Sequence, residues 1–192
     1  MKYCRPIACA MLGFLAACLA TNDPQDIRYF AVEVPAPAQA AASAPQTELR
    51  FRLRRASSAA HLHERMVWRR SEVEYGFAED RRWTEAPIAY VERALLDELV
   101  TVRGLVRSEA LSAPALDIEL FRFDEVIAPV HAARVAFVLR LIAPDGGVLL
   151  DRTIAAQDPI EGRAAEDVVQ AMSRALAAAS HQAADALVSA MQ

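Results

Sequence analysis

Histidines and a neighbouring carboxylate are the groups in this sequence whose spacing first suggests metal chemistry. His61 and His63 are two residues apart and Glu64 follows them, so on a strand both imidazoles would lie on one face. Structural and catalytic zinc sites need three or four protein ligands, and this pair supplies only part of a set. We therefore interpret the segment as a solvent-exposed loop or strand end, and we predict no metal and no cofactor.

Covalent catalysis has equally little support. The three cysteines, Cys4, Cys9 and Cys18, lie in the first tenth of the 192-residue chain, so nothing after Cys18 can form a disulfide or a thiol nucleophile. His131 and His181 are isolated in the sequence, and no serine stands in a G-x-S-x-G frame. We predict no catalytic residue and conclude that the chain is not an enzyme.

Charged residues are interleaved along the middle of the chain. Arginines, Arg69 among them, alternate there with four carboxylates, which predicts an exposed charge lattice rather than an acid–base pair. The carboxylates are Glu72, Glu74, Glu79 and Asp80. Over the whole chain, 25 acidic against 21 basic residues exclude a strongly cationic nucleic-acid binder.

Some of the arginines are candidates for docking a partner. Arg50 and Arg52, with Arg69, would form a basic face if their strands were neighbours. Such a face could dock an acidic partner or anionic headgroups, because guanidinium groups bind carboxylate and phosphate through paired hydrogen bonds. The competing interpretation is a solvent-exposed face whose charge is balanced by nearby acidic residues. We favour it because runs of charged residues are usually solvated.

The N-terminal segment has the features of a bacterial lipoprotein signal. Two positive residues precede an apolar run that is shorter than the roughly 20 residues of a transmembrane helix. The run contains Leu15-Ala16-Ala17-Cys18, which resembles the lipobox, so Cys18 would carry acyl chains such as palmitate. An ordinary leader with an incidental cysteine is the alternative.

The lipobox sets the expected boundaries of the chain. We predict a signal peptide at 1–17, a lipidated tether at 18–26 and one domain at 27–191. The residue after the cysteine is Leu19 and not the Asp that a resemblance to enteric lipoproteins would associate with retention in the inner membrane, so this resemblance implies the periplasmic face of the outer membrane.

The remaining chain alternates between strand and helix patterns. A strand is predicted at 27–34, followed by a Pro/Ala-rich loop at 35–45 that has few large apolar groups. Leu49, Phe51 and Leu53 alternate with arginines as on a half-buried strand. Further strands are predicted at 66–69 and 73–77, pairing as a hairpin, at 105–106, at 116–127, and at 135–141, the last central and covered on both faces. A hairpin through the turn at 145–147 leads to 148–154.

Two helices complete the pattern. Thr84 is a candidate cap and Pro87 suits a first turn, after which Ile88, Val91 and Leu95 begin a helical stripe that continues to 102. The Ala-rich segment 164–191 carries a second stripe with a spacing of three to four residues. The fold class is therefore α/β, a single-domain mixed sheet packed by at least two long helices, and its 54% hydrophobic residues are enough for one core.

These motifs, taken in order, resemble the ABC-type transport auxiliary lipoprotein family, which includes the paraquat-inducible protein C-like lipoproteins. The resemblance spans about 27–188 and lies in Trp68-Arg69, Tyr75, Trp83 and Pro87, behind the lipobox. The strand at 116–120 and the hairpin at 133–145 match the family in outline. Trp68 stands where the family usually has Tyr, and the loop at 35–45 departs from the family pattern. The aromatic side chains would be core under the first helix or anchors of an interface.

The resemblance implies a non-catalytic auxiliary subunit of an MCE-type ABC lipid-transport system. Its partners would be a periplasmic MCE-domain protein with its permease and ATPase, and the outer membrane through the lipid anchor, with no nucleic acid. A homo-oligomer that matches a hexameric MCE tunnel is left open, as are the lipid and the direction of transport. The alternative from another class is a standalone structural or assembly lipoprotein of the cell envelope that handles no lipid.

Overall fold

The computed structural model describes residues 26–34 and 49–192. Within these ranges it contains eight strands, two α-helices and a π-helical turn. In chain order the elements are β1 (Arg28–Phe30), β2 (Arg50–Ser58), β3 (Arg65–Arg69), β4 (Tyr75–Trp83), α1 (Pro87–Asp97), the π-helical turn (Glu98–Val102), β5 (Val106–Arg107), β6 (Ala115–Val126), β7 (Ala132–Ile142), β8 (Val148–Pro159) and α2 (Ala165–Met191).

Strand β6 organises the sheet because both of its edges are used along nearly all of its length. One edge pairs antiparallel with β7, from Ala115 opposite Ile142 to Val126 opposite Ala132, and β8 continues the sheet beyond β7. The other edge is divided between two parallel strands: β2 pairs with the first half of β6, and β3 pairs with the second half. β5 lies outside β2, while β4 and then β1 lie outside β3. The predicted α/β mixed sheet is thus confirmed.

The two helices contact each other and cover the same face of this sheet. That face carries alternate apolar side chains of β6 and β7, including Phe137 on β7. On β6 the fully buried members are Leu116, Ile118, Leu120 and Phe123. The α2 stripe predicted from the sequence packs here, with Met172 and Leu176 also buried. A register shift between Leu120 and Arg122 interrupts the alternation of β6, and on either side of it Asp117, Glu119, Arg122 and Asp124 point to the other face, which no helix of the described ranges covers.

The start of α1 differs from the prediction. Pro87 does occupy the first turn, where its missing N–H costs nothing, but Ala86 and not Thr84 is the N-cap residue. The Thr84 hydroxyl is instead 2.8 Å from the hydroxyl of Tyr90. The stripe that begins at Ile88 continues past Asp97, but there the helix changes to the π-helical turn. The predicted helix is therefore confirmed, whereas its predicted cap is wrong.

The strand predictions hold with changed lengths. β1 covers three residues of the predicted 27–34, and β4 extends to Trp83, so that the Arg82-Trp83 pair lies on a strand. The hairpin of β3 and β4 and the hairpin of β7 and β8 are confirmed, and Gly146 in the second turn has φ +92°, which a glycine adopts without strain. β7 is central, as predicted, but its face away from the helices is only partly covered, because Arg140 is exposed.

Candidate functional site

A buried ion pair lies on the sheet face away from the helices. Asp124 on β6 has no exposed side-chain surface, and Arg69 on β3 is 3% exposed. The Arg69 Nε donates to Asp124 Oδ2 at 2.8 Å, and the Arg134 Nε on β7 donates to Asp124 Oδ1 at 3.2 Å. Three adjacent strands are thus joined by one carboxylate. The sequence predicted Arg69 in an exposed charge lattice, and this prediction is wrong: the register of β3 on β6 places Arg69 beside Asp124.

A second, exposed carboxylate extends this pair into a network. Glu72, whose side chain is 71% exposed, accepts hydrogen bonds from Arg122 Nη2 at 3.0 Å and from Arg134 Nη1 at 3.1 Å. The hydrogen bond from Arg134, its positive charge and then Arg122 hold the pKa of Glu72 below its ordinary value. We call Arg69, Glu72, Arg122, Asp124 and Arg134 the ionic cluster.

Aromatic side chains border the ionic cluster. The guanidinium carbon of Arg69 lies 5.0 Å from the ring centroid of Tyr75, and the rings of Tyr75 and His61 are 4.9 Å apart. Burial, and then the positive charges of Arg69 and Arg122, lower the pKa of His61 and so favour its neutral form. His63 is exposed, and no group of three or more His, Cys, Asp or Glu side chains that could hold a metal occurs in the described part of the chain.

The remaining aromatic residues of the sequence motif have different environments. Trp83 is 2% exposed and makes an edge contact with Phe123 at 5.3 Å between ring centroids, so it belongs to the core under α1. Tyr75 is exposed, and Trp68 is half-buried, with its indole lying over Gly76 of the neighbouring strand. The core interpretation therefore fits Trp83, whereas Tyr75 is on the surface.

Arg50 and Arg52 lie at the opposite end of the sheet from the ionic cluster. β2 and β3 follow each other along one edge of β6, with Arg52 opposite Ala115 and Arg69 opposite Val126. At about 3.3 Å per residue along β6, Arg52 and Arg69 are roughly 35 Å apart. The predicted basic face required β2 and β3 to be side by side, and this premise is wrong. Arg50 instead lines a groove of about 450 Å³, together with Leu49, Leu149 and Met191.

Sequence reasoning missed the partners of several charged residues. His131, predicted to be isolated, has its Nε2 2.7 Å from Glu125 Oε1, and His181 has its Nδ1 3.1 Å from Glu98 Oε1. For the ionic cluster no local signal was available, because Asp124 is one of five charged residues on β6 and the sequence does not show which of them is buried.

The predicted lipidation site at Cys18, with Leu15, Ala16 and Ala17, lies outside the described residues, as does the loop at 35–45. Among the helices of the described ranges, none is long and apolar enough to cross a membrane.

Comparison with known proteins places the fold in a defined group. A family model described as "ABC-type transport auxiliary lipoprotein component" matches residues 30–184. The crystal structure of protein XCC0632 from Xanthomonas campestris has a TM-score of 0.72 at 18% identity, covering 85% of this chain and 96% of that chain. A second crystal structure, of an uncharacterized protein, has a TM-score of 0.64 at 13% identity, covering 84% and 99%. No curated protein matches the sequence.

Proposed function

The chain belongs to the ABC-type transport auxiliary lipoprotein family, and on that premise we propose that it is a non-catalytic auxiliary subunit of an MCE-type lipid-transport system. In this proposal Cys18 is acylated and anchors the protein to the periplasmic face of the outer membrane. The folded domain then binds the periplasmic MCE-domain protein that works with the permease and ATPase. The observation that carries the proposal is the family match, which spans strands and helices from residue 30 to residue 184.

The arrangement of the chain supports a membrane end and a partner end. β1 runs parallel to β4, with Arg28 opposite Arg81, so the chain enters β1 from the side on which β4 begins. That side also holds the ionic cluster, because Tyr75 at the start of β4 pairs with Arg69. A tether before Asp26 would hold this end toward the membrane and direct the opposite end into the periplasm.

We propose that the end with Arg50 and Arg52 docks the MCE partner. Arg50 borders an apolar groove whose lining includes Leu149 and Met191. Arg52, two residues further along β2, is half-buried and adds a second guanidinium on the same side of the strand. Apolar contact surrounded by arginine is typical of protein interfaces, and guanidinium groups bind carboxylates through paired hydrogen bonds.

Affinity capture from detergent-solubilised membranes tests this proposal. We expect the tagged full-length chain to capture an MCE-domain protein and its permease, identified by mass spectrometry. Arg50→Glu combined with Arg52→Glu should abolish capture while the circular dichroism spectrum stays native. Arg55→Glu, which changes an exposed arginine on the same strand, should leave capture unchanged.

Two outcomes would contradict this account. If the variant with Arg50→Glu and Arg52→Glu captures as much transporter as Arg55→Glu does, docking at this end of the sheet is refuted. Capture of envelope proteins without any transporter component would favour a structural lipoprotein.

A further inference from the structure

Arg122 and Arg134 lie beside Asp124 and form a surface site whose ligand is a side chain of the protein itself, the carboxylate of Glu72. Each oxygen of the Glu72 carboxylate accepts from a different guanidinium, Oε2 from Arg122 and Oε1 from Arg134. Two guanidinium groups that span a pair of anionic oxygens are also suited to a phosphate group. The site therefore has the donors of an anion-binding site, with Glu72 in the position of the anion.

The charges at this site are not balanced. Three arginines of the ionic cluster face two carboxylates, which leaves one positive charge in excess while Glu72 is bound and two when it is not. The Nη2 of Arg134 is also buried, with no hydrogen-bond partner in the described ranges. The two carboxylates therefore leave the Arg134 guanidinium incompletely hydrogen-bonded, which is costly for a buried donor.

Glu72 can leave this position without disturbing the core. It lies in the connection 70–74 between β3 and β4, where the neighbouring Val73 is 92% exposed. The turn is held by its own hydrogen bonds, including the donation from the Glu74 N–H to the Ser71 hydroxyl at 3.1 Å. Rotation of the Glu72 side chain would therefore expose Arg122 and Arg134 while the backbone of the turn stays in place.

Exposed apolar side chains beside Arg122 and Arg134 favour an anion that is part of a lipid. Val73 and Tyr75 lie beside the site, and Val130 follows β6 at the same end of the sheet. Cys18 is eight residues before Asp26, a distance of at most about 28 Å in an extended chain. An acylated Cys18 would thus keep Asp26 within about 28 Å of the bilayer, and the orientation proposed above turns the ionic cluster toward it.

We propose that Arg122 and Arg134 bind the phosphate of a phospholipid headgroup in the anchoring membrane, and that Glu72 occupies the site until the headgroup displaces it. The choice of a membrane source rests on the proposed anchoring.

The test measures binding to the full-length chain in maltoside micelles, by calorimetry, with short-chain phosphatidylglycerol and inorganic phosphate as separate probes. We expect Glu72→Gln to bind the phospholipid about tenfold more tightly, because it removes a competitor held by two charged hydrogen bonds. Glu74→Gln removes the same charge from the same turn, but Glu74 pairs with Arg70, so its affinity should match the unchanged protein. Arg122→Gln should weaken binding at least tenfold.

Three results would overturn the proposal. Equal effects of Glu72→Gln and Glu74→Gln would mean that only the general charge of the turn matters. Inorganic phosphate bound as tightly as the phospholipid would refute the lipid source. The third result has two parts: Glu72→Gln binds no phospholipid, and Arg122→Gln is folded by circular dichroism but does not capture the MCE protein. This result would assign the arginines to the binding of an acidic protein surface. Phospholipid binding is measured on the isolated chain. A failure to capture the transporter would therefore contradict the proposed function without contradicting phospholipid binding.

Discussion

Replacing Asp124 by asparagine removes a buried carboxylate on β6 that binds arginines of both β3 and β7. The side chain is fully buried, and each of its oxygens accepts from a different arginine, Arg69 at 2.8 Å and Arg134 at 3.2 Å. An asparagine of the same shape keeps one acceptor, but its amide N–H groups then face a guanidinium donor. Arg69, itself buried, would be left without its countercharge. Removing one partner of a buried pair costs about 3–5 kcal/mol.

Urea unfolding, followed by circular dichroism, measures this loss. With a denaturant dependence of about 2 kcal/mol per molar, the midpoint should fall by roughly 2 M. Asp117→Asn is the matched control, because Asp117 lies on the same strand and pairs with Arg54 at the surface, so its midpoint should change little. A midpoint for Asp124→Asn close to that of the control would refute the reasoning.

Three further predictions concern the same half of the sheet. Gly76→Ala would place a methyl group 2.3 Å from Trp68 Cζ2, so the free energy of unfolding should fall by about 1–3 kcal/mol, measured in urea; an unchanged midpoint would show that the indole moves freely. Hydrogen bonding to Arg134, its charge and then Arg122 lower the pKa of Glu72, so this carboxylate contributes stability above its unfolded pKa and loses it as pH falls through its folded pKa. The difference in urea midpoint between the unchanged protein and Glu72→Gln should therefore shrink as pH falls below the ordinary range of glutamate, and a constant difference would contradict this. Because Trp83 is buried, Trp68→Phe should leave fluorescence that iodide quenches weakly, and strong quenching would contradict burial.

Much of the fold could be predicted because local patterns and tertiary packing agree. Leu176 lies on a stripe with helical spacing and is fully buried, and Pro87 begins α1 as its fixed φ favours. The alternation around Phe51 likewise predicts the buried face of β2. In each case the information lies within a few residues, so the sequence pattern alone was sufficient.

The ionic cluster could not be predicted in this way, because its contacts join distant parts of the chain. Arg69 and Asp124 are 55 residues apart, and their contact depends on β3 pairing with the second half of β6 while β2 pairs with the first half. Nothing in the local sequence of Arg69 distinguishes it from Arg70, which is exposed. Burial of a charge is set here by the register of the sheet and not by its neighbours in sequence.

Site-specific photocrosslinking in cells tests the central claim most directly. A photoreactive residue at Leu149, which lines the groove beside Arg50, should crosslink to the MCE-domain protein. The same residue at Val73, exposed at the other end of the sheet, should not. A crosslink to the MCE protein from position 73 and none from position 149 would contradict the proposed orientation, and the absence of any transporter crosslink from either position would contradict the auxiliary role itself.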